Sequence, residues 1–168
     1  MKNKSVLFIT HSAVIAGIYT SLTLIGAPLA SGVWQLRISE MLTILPVLTP
    51  AAVPGLAIGC ILSNLIMGAS IIDVVFGSLA TLIGAVFTYL LRNIALKKKH
   101  MGFIASIPPI LANTIIIPIV LYFTINTEFS IYFMMLTVAV GEIASCGVLG
   151  TLLLGILKKY RHRLGFNI

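Results

Sequence analysis

The sequence predicts an all-α, polytopic membrane protein: six transmembrane helices in a compact bundle, with both termini cytoplasmic. Three observations lead there. The 168 residues are 59% hydrophobic and 9% charged, whereas a soluble domain is roughly half apolar and a quarter charged. Mean hydropathy is +1.12, and several stretches of about 18 residues or more carry almost no charge, as membrane spans do. The apolar runs, such as Leu111 to Leu121, do not alternate as the strands of a membrane barrel must. A single integral membrane domain over residues 1–168 is expected.

Met1-Lys2-Asn3-Lys4 leads into an apolar run to Ala30. Ala27-Pro28-Leu29-Ala30-Ser31 resembles a small-residue cleavage site, but an apolar run of about 25 residues exceeds a signal core. A first helix ending near Pro28 is therefore expected. The apolar tract from Leu36 to Met67 is broken by Thr49-Pro50-Ala51-Ala52-Val53-Pro54-Gly55, whose prolines and glycine mark a turn. Helices over about 38–49 and 52–67 follow, the former only about 20 Å long at 1.5 Å per residue. Ser70-x-x-Asp73 fits a capping box and starts a helix to about Leu91. A basic loop runs from Arg92 to His100. The next helix, about 102–124, carries Pro108, Pro109 and Pro118 and is expected to kink or start late. A polar turn over 124–130 leads into a last helix, about 131–157, and the basic tail Lys158-Lys159-Tyr160-Arg161-His162-Arg163.

A net charge of +7 would suggest nucleic acid in a soluble protein. Here topology explains it, and no nucleic-acid partner is expected. Six spans put Lys2, Lys4, Arg92, Lys97, Lys98, Lys99, Lys158, Lys159, Arg161 and Arg163 on the cytoplasmic side of the lipid bilayer, as the positive-inside rule requires. Arg37 is the basic residue left on the other side. No internal repeat supports an inverted-repeat transporter.

The four acids are Glu40, Asp73, Glu128 and Glu142. A carboxylate at the bilayer centre costs roughly 2.5–3.5 kcal/mol even on insertion scales, so such residues tend to be functional. Glu142 falls about 16 Å below the start of its helix, and Asn64 and Asn113 each lie about 20 Å from the inner end of theirs. Arg37, Glu40 and Asp73 sit at outer helix ends. These polar groups converge on one outward-facing depth, which describes an apolar pocket with a few polar groups, open to the exterior. Each also has a plainer role. Asp73 can cap its helix, Arg37 can pair with Glu40 across one turn, Asn64 and Asn113 can join helices, and Glu128 reads as a solvated loop charge. Ala13-x-x-x-Gly17 and Gly17-x-x-x-Ser21 form a small-residue face suited to close helix packing, within this chain or with a partner.

The chain has no phosphate-binding loop, nucleophile elbow or metalloprotease motif, so neither ATP hydrolysis nor peptide hydrolysis has its equipment here. Cys60 and Cys146 lie inside apolar runs without metal-ligand spacing and read as buried small hydrophobes. No metal, cofactor or enzymatic activity is expected.

Trp34-Gln35-Leu36-Arg37-Ile38-Ser39-Glu40-Met41-Leu42-Thr43-Ile44-Leu45-Pro46 resembles the signature of the QueT family. The likeness continues through Ala52 to Asn64 and Asp73 to Thr81, and more loosely at Pro108-Pro109, Asn113 and Gly141-Glu142. Members are substrate-binding S-components of energy-coupling factor (ECF) transporters in prokaryotic cytoplasmic membranes, taken to import queuosine precursors. The resemblance implies a multi-pass S-component that captures a 7-deazaguanine base near the outer face. Its partners would be an ECF transmembrane coupling protein and two ATPase subunits, which also accounts for the missing phosphate-binding loop. Ala13 and Gly17 occupy the family's small-residue docking pattern, with glycine in place of the second alanine.

The expected ligand-binding set is Trp34, Gln35, Arg37, Glu40, Asn64, Asp73, Asn113 and Glu142. A carboxylate can accept the ring N–H and amine donors of a guanine-like edge, while Arg37 or an asparagine amide suits its acceptors. An aminomethyl form of the base adds a cation for a second carboxylate, and Trp34 can stack on the ring or anchor at the interface. One competing reading is a proton-coupled secondary transporter or small exporter using Glu142. The other is an assembly protein whose polar residues only join helices.

Overall fold

A chain this apolar must close every backbone hydrogen bond within itself, and helices do so without partners. The computed structural model describes residues 4–30, 36–97, 102–124 and 128–160, the side chains of residues 29 and 30 excepted. Among these residues the regular structure is entirely helical. It comprises α1 (Lys4–Ile25), a short 3₁₀ turn (Ala27–Ala30), a 3₁₀ helix (Ile38–Val47), α2 (Ala52–Ile66), α3 (Ile71–Leu90) and α4 (Arg92–Lys97). Then come α5 (Gly102–Thr124), α6 (Ile131–Glu142), a π-helical stretch (Ile143–Leu149) and α7 (Gly150–Tyr160). Lys4–Ile25, Ile71–Leu90, Gly102–Thr124 and the continuous rod Ile131–Tyr160 are long and apolar enough to cross a membrane, whereas Ile38–Val47 and Ala52–Ile66 are shorter.

The helix expected over about 38–49 is a 3₁₀ helix of 10 residues, longer than the usual three or four. Its rise of about 2.0 Å per residue carries it roughly as far as the α-helix expected there. Three residues per turn align every third side chain, and each resulting row has its own neighbours. Leu42 and Leu45 pack with Ile15, Tyr19 and Leu56. Ile44 and Val47 pack with Ala95, Ala105 and Leu154. Glu40 and Thr43 form the third row, and both contact Cys146. The segment is thus wrapped on all sides, touching α1, α2, α3, α4, α5, the π stretch and α7.

α5 is one helix from Gly102 to Thr124 despite its prolines. Pro109 has no N–H to give the carbonyl of Ala105 four residues back. Thr88 Oγ1 of α3 donates to that carbonyl at 2.8 Å instead, the kind of rescue that lets prolines persist in membrane helices. α3 comes this close because position 84 is glycine: a Cβ there would lie 2.7 Å from Pro109 Cα.

Between α2 and α3, Gly68 adopts a left-handed φ of 69°. Ala69 N–H returns to Asn64 O at 3.0 Å and Gly68 N–H to Leu65 O at 3.1 Å, a Schellman closure that glycine makes strain-free. The expected capping box then starts α3: Asp73 N–H donates to Ser70 Oγ at 3.1 Å, and Ser70 Oγ donates to Asp73 Oδ2 at 2.7 Å. The basic loop contains one added element, α4, whose Ala95 carbonyl accepts from Lys158 Nζ at 2.8 Å. That bond sets the end of α7 beside α4. His11 and Leu157 line one cleft, which brings the start of α1 to the same end. Outside, large apolar side chains such as Ile9, Ile66, Phe87, Phe123 and Leu136 are exposed, as expected where lipid is the solvent.

Candidate functional site

Glu40 is the hub of a polar cluster in the bundle interior. It stands in the first turn of the 3₁₀ helix and is 1% exposed. The phenol O–H of Tyr19, on α1, donates to its Oε1. Asn113 Nδ2, on α5, donates to Oε2 at 3.4 Å. Glu142 ends α6 at 4% exposure, and the Cys146 thiol, one turn into the π stretch, donates to its Oε2 at 3.0 Å. Cys146 Sγ also lies 3.2 Å from Thr43 Oγ1 and 3.3 Å from the Glu40 carbonyl, which itself accepts from Thr43 Oγ1 at 2.6 Å. Five elements therefore meet on two buried carboxyls. The wider π turn at Ile143–Leu149 is a departure from α geometry found often at functional sites.

Ligand atoms of Glu40, Glu142 and Cys146 all lie within 4.8 Å of one another, and two oxygens with a sulfur can suit a divalent transition metal. Each of the three already has protein hydrogen bonds, so the cluster is internally satisfied as it stands. Chemically it offers two carboxyl groups held by neutral donors in a water-poor interior.

The remaining expected residues divide. Arg37 is half-buried, in extended conformation at the 3₁₀ N-cap, and its guanidinium is within electrostatic reach of Glu40, Glu142, Tyr19 and Cys60. Both carboxylate oxygens of Glu40 accept from Tyr19 and Asn113, partners distant in sequence, in place of the one-turn pairing with Arg37. Asn64 is 4% exposed on α2, its amide 3.5 Å from Cys60 Sγ. Asp73 belongs to another neighbourhood: besides its cap it accepts from Thr124 Oγ1 at 3.5 Å, joining the start of α3 to the end of α5. Trp34 and Gln35 lie outside the described residues. Glu128 is exposed, as expected of a loop charge.

Glu40, Asn64, Asn113 and Glu142 are all buried, so the pocket expected to be open is closed over its polar groups. Tyr19, Thr43 and Cys146 are the members that sequence reasoning missed. A tyrosine inside an apolar helix has no local signal, and Cys146 is indeed buried but also hydrogen-bonded.

Ala13 and Gly17 face away from this cluster. Both are exposed, and a Cβ at Gly17 would meet nothing within 4 Å. They share an apolar groove of about 500 Å³ with Phe8, Ile9, Pro54, Ile58 and Leu62. The small-residue face is therefore left uncovered by the described parts of this chain.

A family model described as QueT transporter matches residues 9–159. The chain belongs to the QueT transporter family. No curated protein and no solved structure matches it. The resemblance of residues 33–81 to QueT is borne out over most of the chain. As a QueT protein it is a multi-pass membrane transport component.

Proposed function

We propose that the protein is the substrate-binding S-component of an ECF importer in a prokaryotic cytoplasmic membrane, capturing a queuosine precursor of the 7-deazaguanine type. The observation that carries this reading is the Glu40–Tyr19–Asn113 and Glu142–Cys146 cluster within a chain of the QueT family. Glu40 is held in one orientation by its two donors and suits the paired N–H groups of a guanine-like edge. Arg37, Asn64, Asn113, Trp34 and Gln35 complete the proposed set, with Asp73 bracing the mouth through its cap.

Six passages with both termini inside follow if the 3₁₀ helix is the second crossing. The gathering of Lys158, α4 and the start of α1 at one end supports that topology. Ligand would enter from the end where α1 closes and α3 starts. ATP hydrolysis would belong to two partner ATPases. The uncovered face at Ala13 and Gly17 would receive the transmembrane coupling protein, since small residues allow close helix approach.

The test uses the purified full chain in lipid nanodiscs and isothermal titration with 7-deazaguanine bases. Binding at micromolar affinity or tighter without partners, lost in Glu40→Ala, is expected. A folded chain that binds none of them, and that drives uptake alone in proteoliposomes under a pH gradient, would instead support a proton-coupled transporter. Gly17→Leu is expected to abolish co-purification with the coupling protein while ligand binding persists.

A further inference from the structure

A second apolar cleft, of about 440 Å³, lies on another side of α1 from Ala13 and Gly17. Val14, Ile18 and Leu22 of α1 form one wall, and Leu153 and Leu157 of α7 form the other. Leu45 belongs to the floor, because α1 and α7 pack far more on the 3₁₀ helix than on one another. Lining positions at 11, 14, 15, 18 and 22 keep to one face of α1. They extend over about 16 Å at 1.5 Å per residue. That is about half of a ~30 Å hydrocarbon core, the depth of one lipid leaflet.

His11 aside, the lining is apolar, so a polar solute gains little there and water does not fill it. The lining also lacks glycine, alanine and serine, and an incoming helix about 10 Å across needs such residues to approach closely. An acyl chain is narrow and flexible enough to lie between these walls, and it restores the dispersion contacts that an empty groove forfeits. Charge decides which lipid. Lys4 stands on the same face of α1 as His11, two turns nearer the helix start. Lys158 and Lys159 stand in the last turn of α7, Lys158 turned to the Ala95 carbonyl and Lys159 exposed. Tyr160 follows Leu157 by three residues on the same side of α7, as an aromatic at a membrane interface does. None of the four acids lies at this end. Glu40 and Glu142 are in the interior, Asp73 joins the start of α3 to the end of α5 at the opposite end, and Glu128 stands four residues beyond that joint.

We infer that this cleft binds one anionic phospholipid from the leaflet at the basic end of the bundle, with an acyl chain lying between α1 and α7 on the 3₁₀ helix and the phosphate at the end rimmed by Lys4 and Lys159. Under the topology proposed above this is the cytoplasmic leaflet, where anionic lipids give the surface its negative potential. The lipid completes the packing around the 3₁₀ helix on the one flank where α1 and α7 leave a gap. The inference is independent of what the interior cluster holds.

The test reconstitutes the full chain in nanodiscs of phosphatidylcholine with phosphatidylglycerol as the minor component. Native mass spectrometry after transfer to mild detergent then counts the lipids retained. Phosphatidylglycerol is expected to stay bound, one per chain, enriched at least about tenfold over phosphatidylcholine, since each lysine near an anionic headgroup contributes about fivefold. Lys4→Gln combined with Lys159→Gln, both at exposed positions, is expected to bring that enrichment within about threefold. Leu153→Trp fills the cleft and is expected to remove the retained lipid, whereas Leu152→Trp, exposed beside it on α7 and outside the lining, is expected to keep it. Equal retention of phosphatidylcholine, or an enrichment that the double lysine variant leaves unchanged, overturns the inference even if Leu153→Trp fails to fold. Retention of no lipid overturns it as well. Loss of co-purification with a coupling protein in Leu153→Trp, from a chain that retains no lipid, would give the cleft to a protein partner instead.

Discussion

Glu40 and Asp73 both stand in the first turn of a helix, and each ends a motif that spacing alone makes visible. Their partners differ completely. Asp73 takes its shorter bonds from Ser70, three residues away, and only a longer one, at 3.5 Å, from Thr124 of α5, at a partly exposed helix end. Glu40 is satisfied by Tyr19 and Asn113, 21 and 73 residues away, in the closed interior. A carboxylate with a local partner can be placed from sequence and serves the helix that carries it. One whose partners come from other helices serves the whole bundle, and burial makes each of its hydrogen bonds matter more.

Substitutions can break this contrast, beginning with the most disruptive. Glu40→Ala leaves the Tyr19 phenol and the Asn113 amide without an acceptor, so a loss of about 3 kcal/mol is expected, read as a lowered melting temperature in nanodiscs. Ligand affinity should fall at least about a hundredfold, the loss of a charge-assisted contact pair. Gly84→Ala tests the packing that delivers Asn113: its Cβ would meet backbone 2.7 Å away, and forcing α3 from α5 should cost about 2 kcal/mol. Affinity should drop with it, and an unchanged affinity would mean that Asn113 does not touch ligand.

Tyr19→Phe keeps the ring and removes one donor, for about 1.5 kcal/mol in stability. If Tyr19 orients Glu40, affinity should fall about tenfold, and a chemical denaturation series alongside titration separates the two effects. Asp73→Ala should cost about 1 kcal/mol, the usual loss at a helix cap, with ligand affinity unchanged. A large affinity loss there would erase the distinction between the two acids and return Asp73 to the ligand site.

Much of the helix pattern was legible. The turn expected within Thr49 to Gly55, which ends where α2 starts at Ala52, the capping box at Ser70 and the last two helices fall within a few residues of expectation. Helix type was harder to read. Nothing in Ile38–Val47 announces a 3₁₀ helix, because its geometry answers to neighbours packed around all three rows of side chains. The late start that the prolines of α5 suggested does not occur, since the helix runs from Gly102 and Thr88 replaces the donor that Pro109 lacks, and a sequence reading of α5 alone has no view of α3. In the site, Glu40, Asn113 and Glu142 were found by depth, a quantity that residue counting supplies at 1.5 Å per residue. Tyr19 and Cys146 were missed because both residue types are ordinary in apolar helices and become informative only when a carboxyl is seen opposite.

By itself the sequence determined that this is an apolar helical bundle, where its helices turn, and which polar residues share a depth. Each of these is a one-dimensional property, read along the chain from hydropathy, punctuation and rise. The tertiary structure decided the angular part. It turned Tyr19 inward and left Gly17 on the outer face of the same helix. It also sent Glu40 to Asn113 and Glu142 to Cys146. Azimuth around a helix is set by what packs against it, and in a membrane protein apolar on nearly every face, packing alone carries that information.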